Sequence, residues 1–210
     1  MERVVVLGAS GATGRHVVAT ALHRGHHVVA LVRRTGTFEP RGGLDEVSLP
    51  DVADASTLIR ALTYNPRGTG VVISALGGAQ KGPTTVCTDG IRSAVAAMRT
   101  AGAHRLITVS AYGVLETRGE SLYSKAVWAG VAERMRDKET MEKAVTSSGL
   151  DWTIVRPPKL SDHGPTGKYR TGTGLAVRLW SSIGRADLAA FLVDEAETPR
   201  YTHAHPRITR

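Results

Sequence analysis

The chain has 210 residues, of which 41% are hydrophobic and 22% charged, a composition that excludes a disordered protein. No apolar run approaches the ~20 residues of a membrane-spanning helix, the single Cys87 excludes an internal disulfide, and a strand rather than a signal peptide is predicted at the start, so we expect a cytoplasmic protein without a membrane partner. The formal net charge of +8 is spread without a basic run longer than two residues, and we expect no nucleic-acid partner.

A glycine-rich turn follows the first predicted strand. Val4–Leu7 is a short β-branched and aliphatic run, typical of a strand covered on both faces in a parallel sheet. Gly8, Gly11 and Gly14 come next at intervals of three, and apolar residues then recur at helical spacing until Gly25. The N–H groups and the dipole of a helix N-terminus favour an anion, so the turn predicts a diphosphate site. An ordinary tight turn between strand and helix is the alternative.

Two arginines follow the second predicted strand, His27–Val32, about 20 residues after the turn. In dinucleotide-binding folds this position reads the adenosine ribose, and NAD-selective proteins place Asp or Glu there. Here Arg33 and Arg34 occupy it, and no carboxylate follows until Glu39. A guanidinium pairs with a 2′-phosphate through bidentate hydrogen bonds, so the sequence favours NADP(H) over NAD(H). Two solvated surface charges are the alternative.

Strands and helices alternate along the rest of the chain. The predicted elements are a strand at Glu46–Pro50, a helix capped by Asp54 and ending near Leu62, a strand at Thr69–Leu76, a helix at Pro83–Ala101, a strand at Arg105–Val109, a helix at Trp128–Ser148, a strand at Leu150–Val155 and a helix at Ser182–Val193. This alternation predicts an α/β fold with a doubly wound, Rossmann-type parallel sheet flanked by helices. We expect one domain over residues 1–210, with a small C-terminal region that covers the substrate. The substrate-side segments are predicted at 111–130 and 156–184.

The carboxyl ends of the strands supply further candidates, because ligands of open α/β sheets bind at that edge. Asp51 and Val52 follow the third strand and can reach adenine, although Asp51 can also cap the local turn. Ser110 ends the fifth strand and is predicted to face the space between the first and fourth. No His spacing typical of a metal site occurs, and His203 and His205 are predicted to lie in a solvated tail.

Several separate segments together resemble one family. They are Gly8–Gly14, Leu31–Arg33, Ile73–Gly77, Thr108–Ala111, Ser148–Pro157 and Gly184–Ala189. The set resembles the atypical short-chain dehydrogenase/reductases, and within them the NmrA-like and biliverdin reductase B (flavin reductase)-like NAD(P)H-binding group. The resemblance extends over nearly the whole chain and is more specific for fold and cofactor than for substrate.

The resemblance implies a role for each matching residue. Arg33 meets the 2′-phosphate, and Ser110 and Pro157 lie beside the nicotinamide. Lys159 stands where close relatives carry a histidine, and Lys81 stands where an arginine is expected. The other cofactor contacts are the glycine turn (Gly8, Ser10, Gly11, Ala12, Thr13, Gly14) at the diphosphate, Arg34 beside Arg33, Asp51 and Val52 at adenine, and Ala75, Leu76 and Gly77 at the adenosine ribose.

The sequence lacks the Tyr and Lys, four residues apart, with which many short-chain dehydrogenases protonate an alkoxide. Tyr123 is followed four residues later by Val127, and Tyr112 by Glu116. We therefore predict hydride transfer to a delocalised small-molecule acceptor, such as a flavin, a quinone or a linear tetrapyrrole, which can take its proton from water.

Ser110 and Lys159 are the predicted catalytic residues. Tyr112, Trp128 and Lys159 are the predicted substrate contacts, with the two aromatic side chains as stacking surfaces for a planar acceptor. Packing in the core or in a lid is the alternative for both aromatic residues. We expect a monomer or a homodimer.

Two other functions fit the same residues. One is an NADP(H) sensor that binds the cofactor without turnover, as NmrA-like regulators do. The other is an epimerase or isomerase of the same fold that uses a bound oxidised cofactor.

Overall fold

A parallel sheet of six strands forms the centre of the molecule. The computed structural model describes residues 3–63, 70–78 and 82–210. The strands of the sheet are β1 (Arg3–Leu7), β2 (His27–Val32), β3 (Leu44–Ser48), β4 (Val71–Ser74), β5 (Arg105–Val109) and β6 (Asp151–Val155). Their order is β3-β2-β1-β4-β5-β6, so the direction of winding reverses between β1 and β4. This order confirms the predicted doubly wound Rossmann-type fold, whose ligands bind at such a switch point.

Helices cover both faces of this sheet. They are α1 (Ala12–His23), α2 (Ala55–Thr63), α3 (Val86–Ala101), α4 (Leu122–Thr146) and α5 (Arg185–Glu197). Alternate residues of β1 point to opposite faces: Val4 and Val6 belong to the core under α1 and α5, whereas Val5 and Leu7 belong to the core under α2, α3 and α4. All four side chains have 0% exposure, which explains why β1 is a continuous apolar run. No helix within the described ranges is long and apolar enough to cross a membrane.

The C-terminal region adds four short strands beside the sheet. β7 (Lys159–Ser161) pairs in parallel with β9 (Ser182–Gly184), and β8 (Arg170–Gly172) pairs antiparallel with β10 (Arg207–Thr209). The residues before β10 run along the open edge of β6, where the Ile154 N–H donates to the Ala204 carbonyl oxygen over 3.1 Å. An edge strand presents unpaired backbone groups, and the tail satisfies them.

The predicted solvated tail is therefore wrong for one of its two histidines. The His205 ring packs on Trp152 with 5.0 Å between ring centroids, and only 27% of its side chain is exposed. The His203 ring also contacts Trp152, with 5.6 Å between ring centroids, but its side chain is more exposed than that of His205. The pairing of the tail with β6 brings both rings to Trp152.

Several helix boundaries differ from the sequence prediction; for example, α3 begins at Val86 rather than at Pro83. α4 begins at Leu122 rather than Trp128, and the Ser121 hydroxyl caps it by accepting the Ser124 N–H over 3.2 Å. A kink at Val131, with φ −141° and ψ 39°, breaks the helical periodicity. The apolar pattern of the sequence therefore did not predict the first turns of α4. Ser182 does not cap α5, because residues 182–184 pair with β7 as β9 and the helix starts after them.

Candidate functional site

The glycine turn between β1 and α1 is compact because side chains would not fit in it. Gly8 has φ +73°, and a Cβ there would lie 3.0 Å from the Ala75 carbonyl oxygen at the end of β4. The Gly11 N–H donates to the Gly8 carbonyl oxygen over 3.0 Å, and α1 begins at the next residue. A Cβ on Gly14 would lie only 2.1 Å from that same oxygen. The backbone at the start of α1 is thus packed directly against the turn.

A groove of about 540 Å³ lies over this turn, which we call the glycine-turn groove. It is lined by residues at the carboxyl ends of β1 to β4 and at the start of α3, namely Gly8, Ser10, Gly11, Leu31, Arg33, Leu49, Pro50, Asp51, Val52, Ala75, Leu76, Gly77, Gly78 and Val86. The structure therefore brings most of the predicted cofactor contacts to one groove. Leu31, Leu49 and Pro50 add an apolar wall that the sequence analysis did not identify.

Some predicted cofactor residues do not line this groove. Ala12 and Gly14 belong to the first turn of α1 but are not part of the lining, and Thr13 lines the neighbouring cavity described below. The Arg34 side chain is exposed, and its carbonyl oxygen accepts the Thr37 hydroxyl over 2.8 Å. Asp51, in the turn after β3, both lines the groove and caps that turn, because its carboxylate accepts the Ala53 N–H over 2.9 Å. Lys81 lies outside the described residues.

Arg15, in the first turn of α1, is a candidate that the sequence analysis missed. Its Nε donates to the Ser10 carbonyl oxygen over 3.1 Å, and its Nη1 contacts the Thr37 carbonyl oxygen at 3.4 Å. Its guanidinium also lies 5.3 Å from the centroid of the Phe38 ring. Arg15 thus bridges the glycine turn and the loop that follows Arg33. The sequence position of Arg15 could have indicated this role, because a cation in the first turn of a helix is unfavourable with the helix dipole unless an anion binds there.

A second cavity, of about 650 Å³, lies beside the groove, and we call it the Ser110 cavity. Ala75, Leu76, Gly77 and Gly78 line both, so the two spaces share a wall. Its other lining residues include the predicted Ser110, Pro157 and Lys159, together with Thr13, Tyr123, Val127, Arg134, Lys138 and Leu179. The structure therefore brings one predicted group of residues to the groove and another to the cavity beside it.

Ser110 lies at the end of β5, one strand beyond the switch point between β1 and β4. Its N–H donates to the Val155 carbonyl oxygen over 2.8 Å, and the residue is only 3% exposed. Its hydroxyl has no hydrogen-bond partner in the described part of the chain. A buried polar group without a partner costs about 1–3 kcal/mol, so a ligand group that pairs with this hydroxyl would bind favourably.

The Ser110 cavity is electropositive. Among the described residues, the charged side chains in its lining are all cations, namely Arg134, Lys138 and Lys159. The Lys138 ammonium donates to the Val109 carbonyl oxygen over 3.0 Å, directly before Ser110. Such an arrangement favours a substrate that carries, or acquires, negative charge.

Tyr123 also lines the Ser110 cavity and was not assigned a role from the sequence. Burial raises the pKa of its phenol, and a hydrogen bond with the Lys159 backbone acts in the opposite direction. The phenol is therefore protonated at neutral pH and can donate a hydrogen bond into the cavity. Tyr123 was not recognised from the sequence because Val127, and not Lys, follows it four residues later.

Neither of the two predicted stacking residues belongs to the cavity lining. Tyr112 is 2% exposed, and its ring packs on Tyr123 with 5.8 Å between centroids. The Trp128 indole Nε1 donates to the Gly113 carbonyl oxygen over 2.7 Å, and the Arg118 guanidinium lies 3.7 Å from its ring centroid. These contacts correspond to the packing alternative for both aromatic residues and link them to the segment before α4.

A buried ion-pair network fixes the wall behind Pro157. Arg156 is 1% exposed, and its Nε and Nη2 donate to the two carboxylate oxygens of Glu142 over 3.0 and 2.5 Å. It also donates to Glu116, in the 3-10 turn Leu115–Thr117. Burial alone would lower the pKa of Arg156, but the hydrogen bonds and charges of the two carboxylates outweigh it and raise that pKa. The network ties β6 and α4 to the segment after β5.

Comparisons with known proteins agree with this geometry. A family model described as NAD(P)H-binding matches residues 8–199. The 3-diazoavenalumate denitrifying reductase of a Streptomyces species is 30% identical over 215 residues, which span 92% of this chain and 69% of that protein. The UPF0659 protein YMR090W of Saccharomyces cerevisiae is 29% identical over 217 residues, spanning 95% and 89%. The solved structure of ChuY, described as an anaerobilin reductase of Escherichia coli O157:H7, superposes with a TM-score of 0.83 at 26% identity and covers 98% of this chain and 96% of that one.

Proposed function

The chain belongs to the NAD(P)H-binding family of reductases, and we propose that it transfers hydride from NADPH to a planar, delocalised small-molecule acceptor. Flavins, quinones and linear tetrapyrroles are the acceptor classes with this chemistry. The observation that carries the proposal is that the two spaces lie side by side and share the lining residues Ala75–Gly78. A dinucleotide in the glycine-turn groove would reach the Ser110 cavity with its nicotinamide end, beside the acceptor.

The residues of the groove suit a dinucleotide. Gly8 and Gly14 pack without a Cβ against neighbouring backbone, and a diphosphate would bind to the N–H groups at the start of α1. Arg33 lines the groove beyond β2, and the Arg15 guanidinium lies between the glycine turn and the loop after Arg33. Both guanidinium groups can pair with a 2′-phosphate, which supports a preference for NADPH over NADH. When bound, NADPH supplies the hydride.

The residues of the Ser110 cavity would hold the acceptor and exclude water. The Ser110 hydroxyl and the Tyr123 phenol can donate hydrogen bonds to it, and Lys159 and Lys138 contribute positive charge where electrons arrive. Positioning of donor and acceptor alone can lower a barrier by about 7–11 kcal/mol. Because Val127 replaces the lysine that would lower the pKa of Tyr123, a delocalised acceptor suits this cavity better than an isolated carbonyl.

Oxidation of NADPH by a panel of acceptors tests this proposal. We expect the absorbance of NADPH to fall when FMN, a soluble quinone or biliverdin is added to the protein, and NADH to be used less efficiently. The Ser110→Ala variant is the matched control for turnover in this cavity. Tight binding of NADPH without oxidation by any of the three acceptors would contradict the enzyme assignment.

An NADP(H) sensor without turnover is the second candidate. The observation that favours it is the exposed apolar surface of Leu179 and Trp180, next to the Ser110 cavity, together with Val127 in place of a catalytic lysine. Such side chains can meet a partner protein when the cofactor is bound. The same assay separates the two candidates, because a sensor binds NADPH but consumes none.

A further inference from the structure

A further cavity lies in the C-terminal region, outside the groove and the Ser110 cavity. It has a volume of about 530 Å³ and is lined by three arginines, Arg170, Arg178 and Arg210, with Trp180 and the hydroxyl-bearing Ser181 and Ser182. We call it the arginine cavity. The hydride transfer proposed above does not use it.

The backbone around the arginine cavity is held by strand pairing. Arg170 belongs to β8 and pairs with Thr209 of β10. The next residue, Arg210, donates its N–H to the Ser182 carbonyl oxygen in β9 over 3.0 Å. β10 is anchored to the core, because Ile208 is completely buried. Two of the three arginines are therefore brought together by the fold itself.

The third arginine, Arg178, belongs to a turn that two hydrogen bonds with Ser181 hold together. The Arg178 N–H donates to the Ser181 hydroxyl over 3.0 Å, and the Ser181 N–H donates to the Arg178 carbonyl oxygen over 2.9 Å. The Arg178 guanidinium lies 5.8 Å from the centroid of the Trp180 ring, within the range of a cation–π contact. The loop before this turn is tied down as well, since Arg207 donates to the Leu175 carbonyl oxygen over 2.9 Å.

The positive charge of this cavity is not balanced by ion pairs. No Asp or Glu is part of its lining, and none of the ion pairs formed within the described ranges includes its three arginines. Burial raises the pKa of Asp187, but hydrogen bonds from Gly167 and Thr166, with a smaller contribution from the charge of Arg210, outweigh burial and lower it. The carboxylate oxygens of Asp187 are occupied by those hydrogen bonds.

We propose that the arginine cavity binds a planar organic anion, a compound that joins an aromatic ring to a carboxylate or phosphate group. Guanidinium groups bind both anions through paired, charge-assisted hydrogen bonds. The Trp180 indole is 76% exposed and offers a flat apolar surface to the ring of such a ligand. The Ser181 and Ser182 hydroxyls lie in the same lining and can donate to the anion. A cavity with charge of one sign also concentrates ligands of the opposite sign.

This site is separate from the proposed reaction but shares a wall with it. Leu179 lines the Ser110 cavity, and the next residue, Trp180, lines the arginine cavity. A ligand at Trp180 is thus in contact with the segment that borders the acceptor. The inference does not depend on turnover, and it stands or fails on binding alone.

Calorimetry with two anionic probes and a neutral one tests the proposal. The probes are 2-naphthoate and 1-naphthyl phosphate, with 2-naphthalenemethanol as the uncharged control, titrated into protein that is saturated with NADPH. We expect one site per chain for at least one anion and no measurable binding of the alcohol. The stronger of the two anions identifies carboxylate or phosphate as the natural group. Absence of heat with both anions, or equal binding of the alcohol, would overturn the proposal.

Variants locate the binding. Arg170→Ala combined with Arg178→Ala should weaken the anion at least 10-fold, whereas Arg136→Ala, which removes an exposed arginine of α4, should not change it. Loss of binding in Lys159→Ala but not in the double variant would place the probe in the Ser110 cavity and contradict the assignment. The double variant and Arg136→Ala should bind NADPH as the parent protein does, so a failure of the cofactor proposal is seen separately.

Trp180→Ala tests the planar part of the ligand. We expect this variant to lose affinity for the naphthyl anions and to keep its affinity for inorganic pyrophosphate, which has no ring. Unchanged affinity for the naphthyl anions would show that Trp180 does not contact them, and the site would then not be one for planar ligands.

Discussion

Arg33 carries the expected discrimination between the two pyridine nucleotides at the scale of a single side chain. Arg33→Ala should weaken NADPH binding by about 1.5–3 kcal/mol, the size of a hydrogen bond to a charged group, and spare NADH. Isothermal titration with both cofactors measures this. Arg34→Ala is the matched control, because its side chain is exposed and does not line the groove. Equal losses for NADPH and NADH would show that Arg33 does not read the phosphate.

Arg15 should contribute to the same preference. Its guanidinium donates to the Ser10 and Thr37 carbonyl oxygens, and it therefore lies between the glycine turn and the loop that follows Arg33. Arg15→Ala should reduce the ratio of NADPH to NADH affinity several-fold, and Arg15→Lys should restore only part of it, because an ammonium lacks the planar fork. If Arg15→Ala keeps the parent ratio of NADPH to NADH affinity, Arg15 holds the loop in place and does not contribute to cofactor preference.

The Ser110 hydroxyl is expected to act on the acceptor more than on the cofactor. Ser110→Ala should lower kcat while the Kd for NADPH changes little, since the variant removes a donor but leaves the glycine-turn groove intact. Steady-state kinetics with the best acceptor, together with a cofactor titration, measure both quantities. An unchanged kcat would remove Ser110 from the reaction.

Individual residues of the groove were predictable when their position was set by local sequence. Arg33 follows a short strand by one residue, and the glycine turn sets the start of α1, so their neighbourhood follows from the chain itself. The orientation of an aromatic side chain does not. Tyr112 and Trp128 point into the packing between the segment after β5 and α4, and nothing in their own sequence context distinguishes that from the cavity.

At the scale of an element, the contact between α1 and the glycine turn should be sensitive to one methyl group. Gly14→Ala should destabilise the fold by about 1–3 kcal/mol, the usual cost of overpacking, because its Cβ would lie 2.1 Å from the Gly8 carbonyl oxygen. Urea unfolding measures the difference. Gly130→Ala is the control, since a Cβ in α4 at that position meets nothing within 4 Å and should be neutral or stabilise by up to about 1 kcal/mol. Equal stabilities of the two variants would contradict the observed packing.

The elements of the central sheet were largely predictable, whereas those of the C-terminal region were not. Five of the six strands, all except β3, are mostly apolar and buried, and this pattern is visible in the sequence. β7 to β10 have three residues each, and they exist because distant segments pair, such as Arg170 with Thr209. The same reason explains the error at Ser182, where strand pairing replaces the expected helix cap.

At the scale of the whole molecule, His205 should make stability depend on pH. Burial lowers the pKa of its imidazole, and the charge of Arg156 lowers it further, while Glu142 and Glu116 act in the opposite direction. The unfolded chain then binds a proton near pH 6.5 that the folded protein does not bind, so stability is lost as pH falls below about 6.5. Unfolding by urea at several pH values should show a smaller loss of stability for His205→Gln than for the parent protein.

The control for this measurement is His203→Gln. It removes the other imidazole that stacks on Trp152, and it therefore separates the loss of a ring contact from the loss of a titrating group. A parent protein whose free energy of unfolding is constant between pH 7.5 and 5.5 would show that His205 is protonated as readily in the folded state as in the unfolded chain.

The architecture followed from the alternation of strands and helices, and the family from a set of separated motifs. The place of the groove at the switch point followed as well, because the strand order decides it. The second half of the candidate site could not be predicted in detail. Lys159 and Leu179 line the Ser110 cavity in a C-terminal region whose short strands are formed by pairing between distant segments.

The lining of the glycine-turn groove comes entirely from residues 8–86, whereas the Ser110 cavity also needs residues 157–179 and the arginine cavity residue 210. During translation, every group that would touch the diphosphate and the adenosine therefore leaves the ribosome before the segments that would enclose the acceptor. A nascent chain of this protein would first acquire the surface that faces its coenzyme and only later the surface that faces the molecule to be reduced.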